Sequence, residues 1–513
     1  MKKAITLLTI LLNFGYTLAQ APAIQWQKSL GGSGADFAQS IQPTADGGCI
    51  VAGSSGSANG DIDVDGFHGN YDCWLVKFNA TGIIQWKKSL GGFGNDNAYA
   101  IQTTSDGGYI VAGSSDSNNG DVTGNHGYID YWVVKLDAAA NIQWQKSLGG
   151  SFNDFAYAIQ ATSDGGYVVA GVTQSDDGDV NGNHGGQDYW VVKLNATGTL
   201  QWQKSLGGSN NDFVNSIQAT LDGGYVVAGY SNSTNGDVTG NHGGYDYWIV
   251  KLNANGTIQW QKSLGGSNYD GAWAIQIASD GGYVVAGVTQ SNDGDVSGNH
   301  GSSPDYWVVK LDATGSILWQ KALGGSEADT AYCIQTTSDG GYVVGGVSQS
   351  NNGDVNGNHG FSDFWTVKLN ATGTLQWQKS LGGSGSEYAY AIQTTLDGGY
   401  VVAGFTDSGD GDLTGNHGSY DYWVVKLGTE LATSAFEKNT IVIYPNPVCD
   451  ILQIQTPKNT TITKAKIIAI NGQVILEQTQ NCNTINVENL AQGVYILETY
   501  SGQDKYTCKF IKE

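Results

Sequence analysis

The chain has 513 residues, too many for one ordinary hydrophobic core, so more than one folding unit is expected. Its formal net charge is −23 and it contains no arginine, which argues against a nucleic-acid partner, because nucleic acids are bound through cationic surfaces. The 75 glycines indicate many tight turns, and no stretch has the periodicity of a helix.

The first residues have the pattern of a secretory signal peptide, which we predict over residues 1–19. Lys2 and Lys3 supply the positive start, residues 4–12 are apolar, and small residues before Ala19 suit a cleavage site. No later run of about 18 apolar residues follows, so no membrane span is expected after removal of the signal.

Two tryptophan-centred segments recur seven times, with neighbouring copies about 60 residues apart. The first segment has the form xWQKSLGG, with its tryptophan at Trp26, Trp86, Trp144, Trp202, Trp260, Trp319 and Trp377. The second has the form DYWVVKL, with its tryptophan at Trp74, Trp132, Trp190, Trp248, Trp307, Trp365 and Trp423. Repeats of this length indicate a repeat architecture.

Each repeat is predicted to contain four antiparallel strands, as in a β-propeller blade. Valine, isoleucine, tyrosine and tryptophan fill the strand segments, and Asp-Gly-Gly marks a tight hairpin. For the third copy the predicted strands cover residues 157–162, 167–172, 189–194 and 200–206, with a long polar loop over residues 174–187.

The two ends of the repeat array are complementary. The array begins with a lone fourth-strand segment, residues 24–30, and its last copy stops after a third strand at Leu427. The N-terminal strand is therefore expected to complete the last blade. A stacked β-solenoid is the alternative, but such a fold has no use for this offset. The predicted fold is all-β, with a seven-bladed β-propeller over residues 24–427 closed by the N-terminal strand.

A linker, residues 428–440, precedes a C-terminal segment of different composition. Residues 441–513 resemble the type A C-terminal sorting domain of the type IX secretion system of Bacteroidota. The resemblance is carried by Tyr444-Pro445-Asn446-Pro447, by residues 470–474 and 490–497, and by a lysine-bearing end at residues 509–512. The alternative is a generic adhesive β-sandwich.

This resemblance implies a small β-sandwich that is recognised by the outer-membrane translocon and is commonly removed during export. It implies the type IX secretion machinery as a partner through residues 441–513. The protein is then expected to be secreted or on the outer cell surface after crossing the periplasm, either released or attached to surface polysaccharide.

The long loop of the first copy has the spacing of an EF-hand calcium loop. Asp61, Asp63, Asp65 and Asp72 occupy positions 1, 3, 5 and 12, and Gly66 occupies position 6. The sequence therefore predicts a Ca²⁺ site at this loop and no other cofactor. The alternative is a plain turn, since Asp, Asn and Gly form turns without a metal.

Later copies keep a weaker form of this spacing. In the third copy the corresponding residues are Asp177, Asp179, Asn181 and Asp188. Position 12 is Asp where EF-hands have Glu, and no helices flank the loop, so the resemblance is confined to the spacing.

Every histidine belongs to one series with one member per repeat, which favours a structural imidazole over a multi-histidine metal site. An acidic residue also follows each LGG segment, and its role, as a loop cap or facing the channel, stays open. Cys49, Cys73 and Cys333 are predicted to be small buried side chains. Cys449 and two later cysteines allow one disulfide whose pairing is open.

The repeats differ most at one position, two residues before a recurrent Ile-Gln pair. The residues there are Gln39, Tyr99, Tyr157, Asn215, Trp273, Tyr332 and Tyr390. Their rings suit sugar stacking, and packing alone explains them equally well. Near-identical blades favour repeated weak binding, so we expect a non-enzymatic binding protein with a glycan or protein ligand. A polysaccharide-active enzyme and a purely structural surface protein are the alternatives.

Overall fold

The computed structural model describes residues 19–62, 66–430, 442–455, 462–469, 472–501 and 504–513. The predicted signal peptide up to residue 18, Asp63 and Asp65, and most of the predicted linker lie outside the described residues. The chain divides into two compact units, one up to residue 430 and one from residue 431. No α-helix occurs in the described ranges, and hence none that is long and apolar enough to cross a membrane.

The described part of the first unit forms seven four-stranded antiparallel sheets, numbered here along the chain. Sheet 1 contains β2 (Asp36–Pro43), β3 (Cys49–Ser55), β4 (Asp72–Phe78) and β5 (Ile84–Leu90). Sheet 2 contains β6 (Asp96–Thr103), β7 (Tyr109–Ser115), β8 (Asp130–Leu136) and β9 (Ile142–Leu148). Sheet 3 contains β10 (Asp154–Ala161), β11 (Tyr167–Thr173), β12 (Asp188–Leu194) and β13 (Leu200–Leu206).

The remaining sheets repeat this order. Sheet 4 contains β14 (Asp212–Ala219), β15 (Tyr225–Ser231), β16 (Asp246–Leu252) and β17 (Ile258–Leu264). Sheet 5 contains β18 (Asp270–Ile277), β19 (Tyr283–Thr289), β20 (Asp305–Leu311) and β21 (Ile317–Leu323). Sheet 6 contains β22 (Asp329–Thr336), β23 (Tyr342–Ser348), β24 (Asp363–Leu369) and β25 (Leu375–Leu381). Sheet 7 contains β26 (Glu387–Thr394), β27 (Tyr400–Thr406), β28 (Asp421–Leu427) and β1 (Ile24–Leu30).

Sheet 7 therefore combines strands from both ends of the repeat array. β1 pairs antiparallel with β28, from Ile24 opposite Leu427 to Leu30 opposite Tyr422. It occupies the place that the fourth strand holds in the other six sheets.

The second and third strands of a sheet are buried on both faces. Every residue of β11 and β12 is buried, whereas β13 alternates between half-buried and exposed positions before its last residues. Strands covered on both faces read as continuous hydrophobic runs, which explains the segments YVVAGVT and DYWVVKL.

Each hydrophobic core lies between two neighbouring sheets. Between sheets 2 and 3, Tyr131 packs against Trp190 with ring centroids 4.5 Å apart, and its hydroxyl donates to the Trp190 carbonyl at 2.9 Å. The same kind of core joins sheet 7 to sheet 1, where the Tyr422 hydroxyl donates to the Trp74 carbonyl at 2.9 Å. The first strands of consecutive sheets also contact each other, and β2 contacts β26 and β27.

A buried lysine fixes the hairpin between the first two strands of each sheet. In sheet 3 the Lys193 ammonium lies 2.9 Å from Asp164, with the lysine only 4% exposed. Hydrogen bonds from Thr162 and Lys193 lower the pKa of Asp164 to about 2. The equivalent pairs are Lys77–Asp46, Lys135–Asp106, Lys251–Asp222, Lys310–Asp280, Lys368–Asp339 and Lys426–Asp397.

The second unit contains two antiparallel sheets around one core. One sheet has the order β29 (Val442–Tyr444), β30 (Ile451–Gln455), β33 (Thr484–Asn486). The other has the order β32 (Val474–Gln478), β31 (Lys464–Ala469), β34 (Gly493–Ser501), β35 (Asp504–Lys512). Leu452 of the first sheet and Ile467, Leu497 and Phe510 of the second share the core, as in a β-sandwich.

Candidate functional site

A β-bulge interrupts the first strand of every sheet at the same place. In sheet 3 the pairing passes from Ala156 to Ala158, so that Tyr157 is the extra residue. A bulged residue leaves the regular ladder, and its side chain is re-aimed. We call the seven bulged residues the axial ring: Gln39, Tyr99, Tyr157, Asn215, Trp273, Tyr332 and Tyr390.

The axial ring surrounds a common space. It lines a cavity of about 420 Å³, to which Phe213 and Tyr230 also contribute. A neighbouring space of about 270 Å³ is lined by the same ring and by the residues that follow it in all seven first strands. These include the residues that we call the glutamine ring: Gln42, Gln102, Gln160, Gln218, Gln276, Gln335 and Gln393.

The lining of both spaces is aromatic and polar but uncharged. Their described lining contains no aspartate, glutamate, lysine or histidine. Burial raises the pKa of the Tyr390 hydroxyl to about 12, and it also raises the pKa of Tyr99, Tyr157 and Tyr332. The ring tyrosines are therefore neutral at physiological pH.

The charged groups gather instead where two sheets meet. Around Gly149, Asp130 of sheet 2 and Asp154 of sheet 3 approach the same α-carbon. A Cβ at this glycine would lie 2.6 Å from an Asp154 oxygen and 2.8 Å from an Asp130 oxygen. This close approach explains why the first glycine of the LGG segment cannot carry a side chain.

Both carboxyl groups are fully buried, and backbone amides, a hydroxyl group and a histidine ring hold them. Asp154 accepts from the Gly150 amide and the Ser175 hydroxyl, each at 2.9 Å. Asp130 accepts from the His126 amide at 2.8 Å, and the His126 Nδ1 lies 2.6 Å from it. One oxygen of each carboxylate has no hydrogen-bond partner within the described residues.

Burial raises the pKa of both carboxyl groups, and repulsion from Asp130 adds to the effect at Asp154, as repulsion from Asp179 does at Asp130. The pKa of Asp154 is raised to about 6 from 3.8, and the pKa of Asp130 is also raised. The same carboxyl pair occurs at all seven junctions, the others being Asp72–Asp96, Asp188–Asp212, Asp246–Asp270, Asp305–Asp329, Asp363–Glu387 and Asp421–Asp36.

The histidines hold these carboxylates, as a structural imidazole would. Each histidine contacts the aspartate that begins the third strand of its own sheet through Nδ1 and through its backbone amide. Three of them also approach an aspartate of the next sheet through Nε2, as His126 does with Asp179 at 3.9 Å. The histidines therefore stabilise the junctions and do not meet each other.

Of the predicted calcium loop in the first repeat, Asp61 and Asp72 are described. The Asp61 amide donates to the Gly31 carbonyl at 2.8 Å, which ties this end of the loop to the junction of sheets 7 and 1. Asp72 is buried at the opposite junction, where it accepts from the His68 amide at 2.8 Å. Asp63 and Asp65 lie outside the described residues, so the site stays a prediction.

In the third repeat the four residues of the weaker calcium pattern are used separately. Asp177 caps the Ser151 amide at 2.7 Å, and Asp179 accepts from the Gly149 amide at 3.4 Å, both at the junction with sheet 2. Asp188 contacts His184 at the junction with sheet 4. The Asn181 carbonyl accepts from Gln203. Within the described residues no group of three or more His, Cys, Asp or Glu is arranged to hold a metal ion.

The sequence analysis identified the axial-ring position as the one at which the repeats differ most. It did not predict that these side chains point toward a common space. The variability of one position within near-identical repeats was the available signal. The bulge that turns these side chains toward a common space depends on pairing with the second strand, which a strand pattern does not reveal. The carboxyl pairs were missed because their partners belong to different repeats.

The C-terminal unit matches a known family. Residues 442–513 match the family model of the secretion system C-terminal sorting domain. The protein is thus a cargo of the type IX secretion machinery, and it is secreted or exposed at the outer surface. In agreement with the sequence analysis, the resemblance at this end of the chain is to a sorting domain.

Comparison of the whole chain gives more distant matches. The chain is 25% identical over 394 residues to the regulatory protein FlaEY of Caulobacter vibrioides, a match that covers 68% of this chain and 40% of that protein. The type IX secretion component PorZ of Porphyromonas gingivalis aligns with a TM-score of 0.37 and 12% identity, over 91% of this chain and 58% of PorZ. Sqt1 from Chaetomium thermophilum aligns with a TM-score of 0.40 and 11% identity, over 79% of this chain and 100% of Sqt1.

Proposed function

We propose that this protein is an exported, closed seven-bladed β-propeller that binds a glycan or protein ligand without catalysing a reaction. The signal peptide would direct it to the periplasm, and the sorting domain would carry it across the outer membrane. The mature protein would then act outside the cell or on its surface.

Closure of the ring is supported at the junction between sheets 7 and 1. β1 completes sheet 7, and the Tyr422–Trp74 hydrogen bond there repeats the Tyr131–Trp190 bond of an internal junction. The cavity lined by equivalent residues of all seven repeats also favours seven blades around one axis. A propeller with this arrangement presents its first strands to the central channel.

The axial ring is the observation that carries the binding proposal. Seven near-identical blades converge on one cavity through the position at which they differ most. A concave space with aromatic walls and a few polar groups is the usual form of a ligand site, and 420 Å³ lies in the usual range of about 300–1,000 Å³.

The same cavity argues against the alternative of a polysaccharide-active enzyme. Glycoside hydrolases ordinarily need two carboxyl groups beside the bond that is cleaved. The axial lining offers none, and the buried carboxyl pairs are fully covered by the two sheets that contribute them. This distribution favours binding without turnover.

A paired assay tests the proposal. The purified full chain is applied to an array of glycans and surface proteins, and the same polysaccharides are incubated with it and assayed for new reducing ends. We expect binding with no release of reducing ends. Release that disappears after substitution of a single acidic residue would instead establish an enzyme, and neither binding nor release would favour a purely structural protein.

A further inference from the structure

The axial ring is divided into two aromatic arcs of unequal size. Trp273, Tyr332 and Tyr390 form the larger arc, with ring centroids 5.2 Å and 5.0 Å apart along it. Tyr99 and Tyr157 form the smaller arc, 5.2 Å apart. The two amide members, from sheets 1 and 4, separate the arcs in ring order. The cavity is therefore asymmetric although the sheets around it are alike.

The larger arc continues into further aromatic side chains at both ends. Tyr390 contacts Phe405 at 5.7 Å, and Trp273 contacts Tyr230 at 6.2 Å. Tyr230 also lines the cavity, so the aromatic wall extends beyond Trp273 at this end. The Trp273 indole N–H has no acceptor within the described residues. A ligand oxygen beside this ring would supply one.

The glutamine ring lines the neighbouring space of about 270 Å³, which the axial ring also lines, and it has unused hydrogen-bonding capacity. All seven side chains are half-buried, and none of them forms a hydrogen bond within the described residues. A primary amide offers two donors and one acceptor, which matches a hydroxyl that both donates and accepts. A ligand rich in hydroxyl groups would satisfy this ring.

The absence of charge from the described lining selects against ionic ligands. A buried carboxylate or ammonium group of a ligand would find no counter-ion, and an unpaired buried charge is strongly disfavoured. The chain as a whole carries a net charge of −23, which further disfavours an acidic glycan.

We infer that the axial cavity binds the end of a neutral glycan, with an uncharged sugar stacked on the Trp273–Tyr332–Tyr390 arc and its hydroxyl groups bonded to the glutamine ring. This inference rests on the proposed function, because it names the ligand class of the same cavity. The aromatic rings complement the apolar face of a neutral sugar, and the free amides complement its hydroxyl groups.

Calorimetric titration of the full chain with matched oligosaccharides tests the inference. The probes are hexasaccharides of glucose, mannose and galactose, β-1,4- and α-1,4-linked, and hexagalacturonate as the acidic counterpart of the galactose series. We expect at least one neutral hexasaccharide to bind and hexagalacturonate not to bind. Trp273→Ala and Tyr332→Ala are each expected to weaken binding at least tenfold, as removal of a central aromatic contact does.

Two controls separate loss of the site from loss of folding, and one further variant tests the glutamine ring. Tyr332→Phe keeps the ring face and is expected to retain binding within about fivefold, because a single hydrogen bond is worth about 1 kcal/mol. Gln276→Met removes an amide at similar volume and is expected to weaken binding. Phe361→Ala removes an exposed aromatic side chain outside the cavity and is expected to leave binding unchanged.

The outcomes distinguish this inference from the proposed function. Glycan binding that survives both arc substitutions overturns the axial site but leaves a binding protein. Preference for hexagalacturonate, or binding only of a protein ligand that is lost in Trp273→Ala, overturns the neutral-glycan assignment and leaves the cavity as the binding site. Release of reducing ends overturns the proposed function itself.

Discussion

The buried carboxyl pairs are costly to ionise, because both groups are removed from water and held in fixed positions. At Gly149 the two carboxyl groups come from different sheets and both lie against the α-carbon of this glycine, so that neither can move away without separating the sheets. Their charges are most easily relieved by a proton, and the pair is best regarded as one titrating unit. The junctions should therefore respond to pH.

We predict that the free energy of unfolding falls as the pH rises from about 4 to about 7. The folded-state pKa of Asp72, Asp154, Asp188 and Asp329 is about 6, above the ordinary value of 3.8. A raised folded-state pKa gives stability that is present below the unfolded pKa and is lost as the pH rises through the folded one. Chemical denaturation across this pH range measures the effect.

The hairpin aspartates determine how the free energy of unfolding changes below about pH 4. Hydrogen bonds and the buried lysines lower the pKa of Asp106 and Asp164 to about 2, so their contribution is lost as the pH falls toward 2. Maximum stability is then expected near pH 4, at about the ordinary pKa from which both sets of carboxyl groups depart. Asp154→Asn should reduce the slope above pH 4, and Glu327→Gln, an exposed control, should leave it unchanged. A stability that rises from pH 4 to pH 7 would contradict the prediction.

A single substitution should repair a defect in sheet 1. In the other six sheets a glutamine accepts from the indole of the third strand, as Gln203 does from Trp190 at 2.9 Å. Sheet 1 has Lys87 at this place, and the buried Trp74 indole has no acceptor within the described residues. We predict that Lys87→Gln raises the free energy of unfolding by about 1 kcal/mol, the value of one buried hydrogen bond.

The neighbouring lysine provides the matched control. Lys88→Gln makes the same change in charge on the same strand without offering an acceptor to Trp74. Urea denaturation of the two variants should show stabilisation for Lys87→Gln only. Equal effects in both would attribute the change to charge.

The strands were largely predictable, because hydrophobic pattern and turn chemistry agree in every repeat. The predicted fourth strand of the third copy, residues 200–206, coincides with β13, and the predicted third strand differs from β12 by one residue. The predicted first strand began at residue 157 and the observed one begins at Asp154. The polar Asp154 does not look like a strand residue, and its burial depends on the neighbouring sheet.

In the third repeat, the long loop holds apart the acidic residues that the calcium spacing predicted to converge. The calcium pattern assumed that alternate side chains of one loop converge, but Asp179 and Asp188 of the third repeat serve opposite junctions. A spacing rule describes a loop in isolation, whereas these loops bridge three sheets. Only the first loop carries a third acidic residue, Asp65, at position 5.

We predict that calcium stabilises the protein through the first loop only. At 10 mM Ca²⁺ a site with a dissociation constant of about 0.1–1 mM adds about 1–3 kcal/mol to the free energy of unfolding. Thermal denaturation of chelator-treated protein should show a rise in Tm with Ca²⁺ that is lost in Asp63→Asn and Asp65→Asn. An unchanged Tm, or an equal rise with Mg²⁺, would refute a specific site.

At the scale of the first unit, one contact recurs at most of the junctions between sheets. The Tyr–Trp hydrogen bond across a junction occurs between sheets 3 and 4 through Tyr189 and between sheets 7 and 1 through Tyr422. In a closed ring these two junctions are equivalent. In an open array only the internal one exists.

We therefore predict that Tyr422→Phe and Tyr189→Phe destabilise the protein by the same amount, about 1 kcal/mol each. Equilibrium urea denaturation of both variants and of the unchanged protein measures the two costs. A cost for Tyr189→Phe with none for Tyr422→Phe would mean that the ring is open in solution.

The pairing of β1 with β28 also determines the order in which the sheets can form. Gln27 of the first strand and its partner Trp423 are 396 residues apart, so the ribosome makes one long before the other. Sheets 1 to 6 each consist of four strands that are consecutive in the chain, so each can form once its own segment is available. β1 can pair only after β28 has been synthesised. Until then it is an unpaired strand that invites association with other chains, so shielding of this segment until β28 is available would limit misassembly.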